Sequence, residues 1–162
     1  MSIKVEKVTL ENKSVLSQLI QLYHYDFSEF TDDDVNEFGL YDYKYLELYW
    51  TEVNRFPFFI KVDGKYAGFV LVRKITDEDL KTDYYSMAEF FVMKKYRKMG
   101  VGRVAAESLF DTFKGKWEAS VVEENVTAHL FWKKVISHYS NGNYIENFND
   151  FDDSIFLFES TD

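Results

Sequence analysis

Apolar and polar side chains alternate from Ile3 to Leu10, the period of two expected of a strand with one buried face. The rhythm then changes to helical spacing at Val15, Leu16, Leu19, Ile20 and Tyr23, which predicts a strand β1 leading into a helix α1. A polar, acidic and aromatic segment runs from Tyr25 to Tyr43, and Leu46, Leu48, Tyr49 and Val53 predict a second helix α2 that ends before Pro57. Two apolar runs, Phe58 to Val62 and Tyr66 to Val72, flank Asp63-Gly64. That dipeptide suits a type I′ turn and predicts an antiparallel hairpin, β2 and β3. Past a loop at Thr76-Asp77-Glu78-Asp79, a strand β4 is predicted from about Tyr84 to Met93. A helix α3 carries Val101, Ala105, Leu109 and Phe113 at steps of four. Trp117 to Val122 reads as β5, and Ala128, Phe131, Trp132, Val135 and Ile136 form the apolar face of α4. Tyr144-Ile145 and Ile155 to Phe158 read as closing strands β6 and β7. With no internal repeat and no linker, the order β1-α1-α2-β2-β3-β4-α3-β5-α4-β6-β7 predicts one mixed α/β domain over residues 1–162.

Composition narrows the class. A chain of 162 residues buries about 70% of its unfolded surface and so holds a real core. Hydrophobic residues at 46% and aromatics at 19% exclude a disordered chain, and one proline with seven glycines excludes a collagen-like or low-complexity one. No cysteine is present, which removes disulfides and thiolate chemistry and suits a reducing compartment. The N-terminus, Met1 to Lys7, interleaves charge with apolar residues and shows neither signal peptide nor membrane span, so the cytoplasm is the expected address. A net charge of -9 argues against nucleic-acid partners, which require lysines and arginines set against phosphates.

Against that acidic background one stretch inverts the sign. Lys94, Lys95, Arg97, Lys98 and Arg103 cluster between the β4 strand and the start of α3, around Gly100 and Gly102. Cations at a helix N-terminus oppose the helix dipole, whereas an anion there meets unpaired N–H groups and a favourable field. The turn therefore reads as an anion site, with Gly100 and Gly102 leaving the backbone open to phosphates. A Walker loop is excluded because no Gly-Lys-Ser/Thr follows, and the dinucleotide pattern G-x-G-x-x-G is absent.

The spacing Arg97-x-x-Gly100-x-Gly102 resembles the acetyl-CoA signature of the GCN5-related N-acetyltransferases. Downstream of β5, Asn125-x-x-Ala128-x-x-Phe131-Trp132 resembles the same family's later Asn-x-x-Ala-x-x-aromatic-aromatic element. The resemblance is specific over Ala88 to Ile136 and extends elsewhere only to element order, which is the family's. It implies a GNAT-like, mostly antiparallel central sheet flanked by helices, in which β4 and β5 splay apart. It implies transfer of an acetyl group from acetyl-CoA to a primary amine by direct attack; no metal is expected, because the sequence itself carries no metal-ligand spacing. Phe90, Phe91 and Val92 would offer backbone groups to the pantetheine arm, and one of their amides would polarise the thioester carbonyl. Arg97, Lys98, Met99, Gly100, Val101 and Gly102 would hold the diphosphate with help from Arg103. The Asn125 amide would bond the pantetheine, while from its position alone it is equally a helix N-cap.

Acid and base are less directly marked. Glu89, a carboxylate on the motif strand, is the candidate base, with a structural ion pair as the competing role. Its alternation with Phe90 and Val92 leaves open which face holds the acceptor. Where the family pattern commonly has a tyrosine acting as acid, this chain has Trp132, whose indole N–H is no useful acid; Tyr139 on the same helix, or solvent, is the substitute. The segment after α1, with Tyr25 and Asp26 as candidate acceptor-binding residues, is acidic and aromatic. It suits a cationic small-molecule amine or a peptide lysine. The three histidines carry no metal-ligand spacing. A homodimer stays open. The alternative reading is a non-catalytic acetyl-CoA-binding sensor on the same fold.

Overall fold

The computed structural model describes all 162 residues, Met1–Asp162. Seven strands form one sheet in the order β1-β2-β3-β4-β5-β7-β6: β1 Ile3–Lys7, β2 Arg55–Val62, β3 Lys65–Asp77, β4 Thr82–Val92, β5 Gly115–Val121, β6 Tyr144–Phe148 and β7 Ser154–Ser160. All neighbours are antiparallel except β4 and β5. Helices α1 Lys13–Phe27, α2 Leu48–Thr51, α3 Val101–Thr112 and α4 Val126–Tyr139 complete the expected order.

Two cores lie on opposite faces of the sheet. The larger joins Val70, Val72, Met87, Trp117, Ala119 and Phe156 of the sheet to Val101, Ala105 and Leu109 of α3 and to Trp132, Val135 and Ile136 of α4. The smaller packs Leu16, Leu19 and Ile20 of α1 and Tyr49 of α2 on Phe59, Phe69, Leu71 and Phe91. Trp117 is fully buried and its indole N–H donates to the Phe113 carbonyl at 2.8 Å, so its one polar atom is satisfied. No helix is long and apolar enough to cross a membrane.

Four boundaries depart from the hydrophobic pattern, the first being β3, which runs on to Asp77 because Thr76 and Asp77, expected in a loop, pair with Asp83 and Thr82 of β4. β2 begins at Arg55 and contains Pro57 instead of starting after it. The Pro57 carbonyl accepts from the Val8 N–H at 2.9 Å. The Val8 carbonyl, which proline cannot serve in return, accepts instead from Trp50 Nε1 at 3.2 Å. The helix expected over Leu46 to Val53 shrinks to Leu48–Thr51, and β1 ends at Lys7 with Leu10–Asn12 in a 3₁₀ turn. Asp63 and Gly64 both take positive φ, 49° and 80°, as the hairpin requires.

A β-bulge sets the direction of the motif strand. Leu71 pairs with Glu89 but Val72 pairs with Met87, so Ala88 is an extra residue in β4. Met87 therefore points into the α3-α4 core while Glu89, two residues on, faces α1. A second irregularity lies at Ala67, opposite the step from Ile60 to Lys61, and beside it Gly68 packs against the β4 backbone. A Cβ on Gly68 would sit 1.9 Å from the Phe91 carbonyl oxygen.

Gly68→Ala should therefore destabilise the protein by about 3 kcal/mol or more, since strand backbone cannot yield as a side chain would. Gly39→Ala, in open space at φ +74°, should cost only about 1 kcal/mol. Urea unfolding of both variants checks this, and equal losses would show that the close approach relaxes freely.

Candidate functional site

β4 and β5 are parallel and meet at two rungs only, Tyr85 with Trp117 and Ser86 with Glu118. Beyond Ser86 the strands separate, so β4 has a free edge from Met87 to Val92. Met93 N–H donates to the Ala67 carbonyl of β3, and strand alternation then turns the backbone groups of Phe90 and Val92 toward that free edge. The Val92 carbonyl confirms the direction by accepting from Arg97 Nε at 2.7 Å, across from β3. Phe90 and Val92 side chains pack on the α3-α4 core, and Phe90 lies 5.7 Å from Phe131 and 4.9 Å from Trp132 between ring centroids. Phe91 packs on the α1 side.

The chain past β4 exposes a run of donors. The N–H groups of Lys98, Met99, Gly100, Val101, Gly102 and Arg103 meet no acceptor in the protein, backbone or side chain, and the first bond into α3 runs from Val104 to the Gly100 carbonyl at 3.1 Å. Six consecutive free amides at the start of a twelve-residue helix form a concave donor surface for an anion. Lys98 at φ 61° and Gly100 at φ 81° bend the chain into this shape. Lys98 and Arg103 form no ion pair, so both remain free to meet negative charge.

The two glycines divide the work differently from expectation. Gly100 has nothing within 4 Å of a would-be Cβ and supplies conformation and open approach. At Gly102 a Cβ would meet the Phe131 ring at 3.0 Å, so its missing side chain makes room for that ring. The two sequence motifs thus touch. Asn125 caps α4, its Oδ1 accepting from the Ala128 N–H at 3.1 Å, which leaves the amide nitrogen available.

Glu89 faces the α1 side of β4, where Tyr23, Tyr43 and Tyr49 converge. Burial pushes its carboxyl above the ordinary glutamate range, and the Tyr23 hydroxyl beside it pulls in the opposite direction. No cation lies within 4 Å of it, so the structural ion pair considered from sequence is not formed. Burial likewise raises all three tyrosines, which stay protonated at neutral pH. The Tyr49 hydroxyl is buried beside Tyr43 and Arg55.

Other expected residues lie elsewhere. Tyr25 is 71% exposed and its ring is turned to solvent, while Asp26 is drawn to the basic loop, its Oδ2 2.6 Å from Arg97 Nη2. Tyr139 sits at the opposite end of β5 from the split. Its hydroxyl donates to Asp111 Oδ1 at 2.7 Å and lies 2.9 Å from Ser160 Oγ, in a network closing the far end of the sheet. Trp132 is buried against Phe90 and Phe131. Tyr23, in the aromatic and acidic stretch expected to line the acceptor side, ends the apolar stripe of α1 and brings its hydroxyl beside Glu89. Tyr43 and Tyr49 carry no signal in the sequence that sets them apart among twelve tyrosines.

Comparison with known proteins agrees with this architecture. The family model described as Acetyltransferase (GNAT) family matches residues 18–136. The chain belongs to that acetyltransferase family. The PaiA N-acetyltransferase of Thermoplasma acidophilum, solved in complex with coenzyme A, is 13% identical with a TM-score of 0.67, over 98% of this chain and 99% of that one. An acetyltransferase from Thermus thermophilus is 12% identical with a TM-score of 0.70, over 98% and 97%. An aminoglycoside acetyltransferase from an uncultured soil metagenomic sample, in complex with sisomicin, is 17% identical with a TM-score of 0.61, over 82% and 86%. At these identities the likeness is one of fold. No curated protein matches the chain.

A buried carboxyl whose pKa is raised in the folded state binds its proton more tightly there than when unfolded, so stability falls as pH rises through that interval. Glu89→Gln should then be more stable than the wild type at neutral pH, with the advantage vanishing toward acid pH. Denaturation of both proteins across pH tests this, and a Glu89→Gln variant less stable at neutral pH would mean that the carboxylate is held by favourable contacts.

Proposed function

We propose that this protein is an acetyl-CoA-dependent N-acetyltransferase acting on a primary amine. The observation that carries the reading is the run of six unpaired amides from Lys98 to Arg103 beside a strand edge left open from Met87 to Val92. A diphosphate is the right size and charge for the first, and an amide-bearing pantetheine arm can complete the second as a missing strand would. The coenzyme A bound to the Thermoplasma protein of like fold supports the same ligand here.

In this reading the free N–H groups on the β4 edge, from Phe90 and Val92, align the thioester and stabilise the oxyanion as the carbonyl carbon turns tetrahedral. Glu89 accepts a proton from the incoming ammonium, directly or through water, so that a neutral amine nitrogen attacks. The C–N bond forms, the C–S bond breaks, and the departing thiolate takes a proton from the newly bonded nitrogen. One proton per turnover leaves through Glu89 to solvent. Glu89 without a cation partner, among three protonated phenols, suits an acceptor that arrives as a cation. Tyr139 is too far along the sheet to serve, and the reaction as written requires no side-chain acid.

Acetyl-CoA should raise the melting temperature well above any effect of NAD or ATP, whereas equal shifts with all three would reduce the loop to a general anion patch. Replacing Gly100 by Asn or Asp separates charge from shape, because both side chains tolerate positive φ. Gly100→Asp should bind acetyl-CoA at least about tenfold more weakly than Gly100→Asn if a diphosphate lies there.

Turnover is read by release of CoA thiol against a panel of amines and peptides, with no thiol background from a chain that lacks cysteine. Glu89→Gln should lower kcat by about 10²-fold or more with little change in acetyl-CoA affinity. Acetyl-CoA binding without turnover of any amine would favour a sensor instead.

A further inference from the structure

Asp26 lies in the last turn of α1, yet its carboxylate reaches the cofactor loop. Oδ2 accepts from Arg97 Nη2 at 2.6 Å and Oδ1 stands 3.7 Å from Lys94 Nζ. The same guanidinium donates from Nε to the Val92 carbonyl at 2.7 Å, on the free edge of β4. Two groups at the mouth of the anion cradle are therefore already engaged by the protein itself, an arginine by a carboxylate and an edge carbonyl by that arginine. On a chain whose loop otherwise gathers positive charge, Asp26 works against anion binding.

The helix that carries Asp26 also reaches the Glu89 side. Tyr23, one turn back, adjoins Glu89 and packs 5.6 Å from the Phe91 ring. His24 packs on Tyr41 and Tyr43 at 5.7 and 5.8 Å. Gln21 clasps the following segment by two bonds, its Nε2 donating to the Tyr41 carbonyl at 2.7 Å and its Oε1 accepting from the Tyr41 N–H at 2.8 Å. One rigid helix thus touches the cofactor loop through Asp26, the carboxylate site through Tyr23, and the acceptor-side segment through Gln21 and His24.

We propose that Asp26 is a resident anion of the cofactor loop: it holds Arg97 until a diphosphate competes for it, and so couples cofactor loading to the position of α1. This inference rests on the acetyl-CoA reading above and adds to it a positioning residue, acting through Arg97. Taking Arg97 from Asp26 releases one of the contacts that pin the C-terminal turn of α1 to the loop, so the acceptor side senses the loaded state. By reciprocity, an acceptor that shifts α1 away from the loop makes Arg97 available and tightens cofactor binding.

The test is coenzyme A affinity by calorimetry on the wild type, Asp26→Asn, Arg97→Gln and the double variant. Asn keeps an acceptor oxygen for Arg97 but removes the charge. Both side chains are partly exposed, at 26% and 38%, so the pair is of the modest surface kind and Asp26→Asn should tighten binding by about two- to fivefold. In the Arg97→Gln background the same change should have no effect, the mark of an action through Arg97. Unchanged or weaker binding by Asp26→Asn overturns the proposal, and so does an equal gain in both backgrounds, which would make Asp26 a diffuse charge only. No binding by the wild type would instead remove the acetyl-CoA reading. Circular dichroism of each variant confirms the fold before binding is compared.

Discussion

Everything at the site follows from a strand pairing that stops early. Parallel β4 and β5 share two rungs and then part, which leaves backbone N–H and C=O groups on the β4 edge with no partner strand. Exposed strand edges are ordinarily blunted or covered, because they invite pairing with whatever arrives. Here the edge is kept open by the two cores, one on each face, which hold β4 by its side chains while its outer backbone stays free. The bulge at Ala88 lies within this free stretch and decides which side chain faces which core. The basic loop is then delivered at the end of the edge, so an anion bound there is aligned with the cleft.

The element order is legible because most of its elements are long or strongly periodic. The hairpin at Asp63-Gly64, the helical face of α4 and the buried run of β3 all carry patterns that tertiary packing reinforces. Pro57 misled because its missing donor is offset by Trp50 Nε1, a bond between residues 42 apart that no local window contains. The short α2 has the same explanation: Tyr49 and Trp50 serve long-range contacts, and four residues suffice to place them.

For the site, the loop leaves a trace in the spacing because its left-handed turn at Gly100, φ 81°, is a conformation that sequence records as glycine. Side-chain partnerships left no such record. Asp26 reads as one more acid in an acidic segment, and its bond to Arg97 spans 71 positions. The facing of Glu89 depends on one inserted residue, and alternation counted from either end of β4 gives opposite answers. Tyr139 shares a helix with the Asn125 motif, yet that helix carries it away from the split.

The contact between Gly102 and Phe131 ties two stretches of sequence into a single mechanical unit. The signature that marks the loop admits alanine at its second small position, and in this chain an added methyl would press directly on the aromatic ring at 131. A lineage that drifts to alanine at 102 therefore needs a compensating reduction or rotation at 131, with Phe90 adjusting behind it. Exchange of the loop alone between relatives is a misfit in waiting, and the natural unit for grafting is the pair.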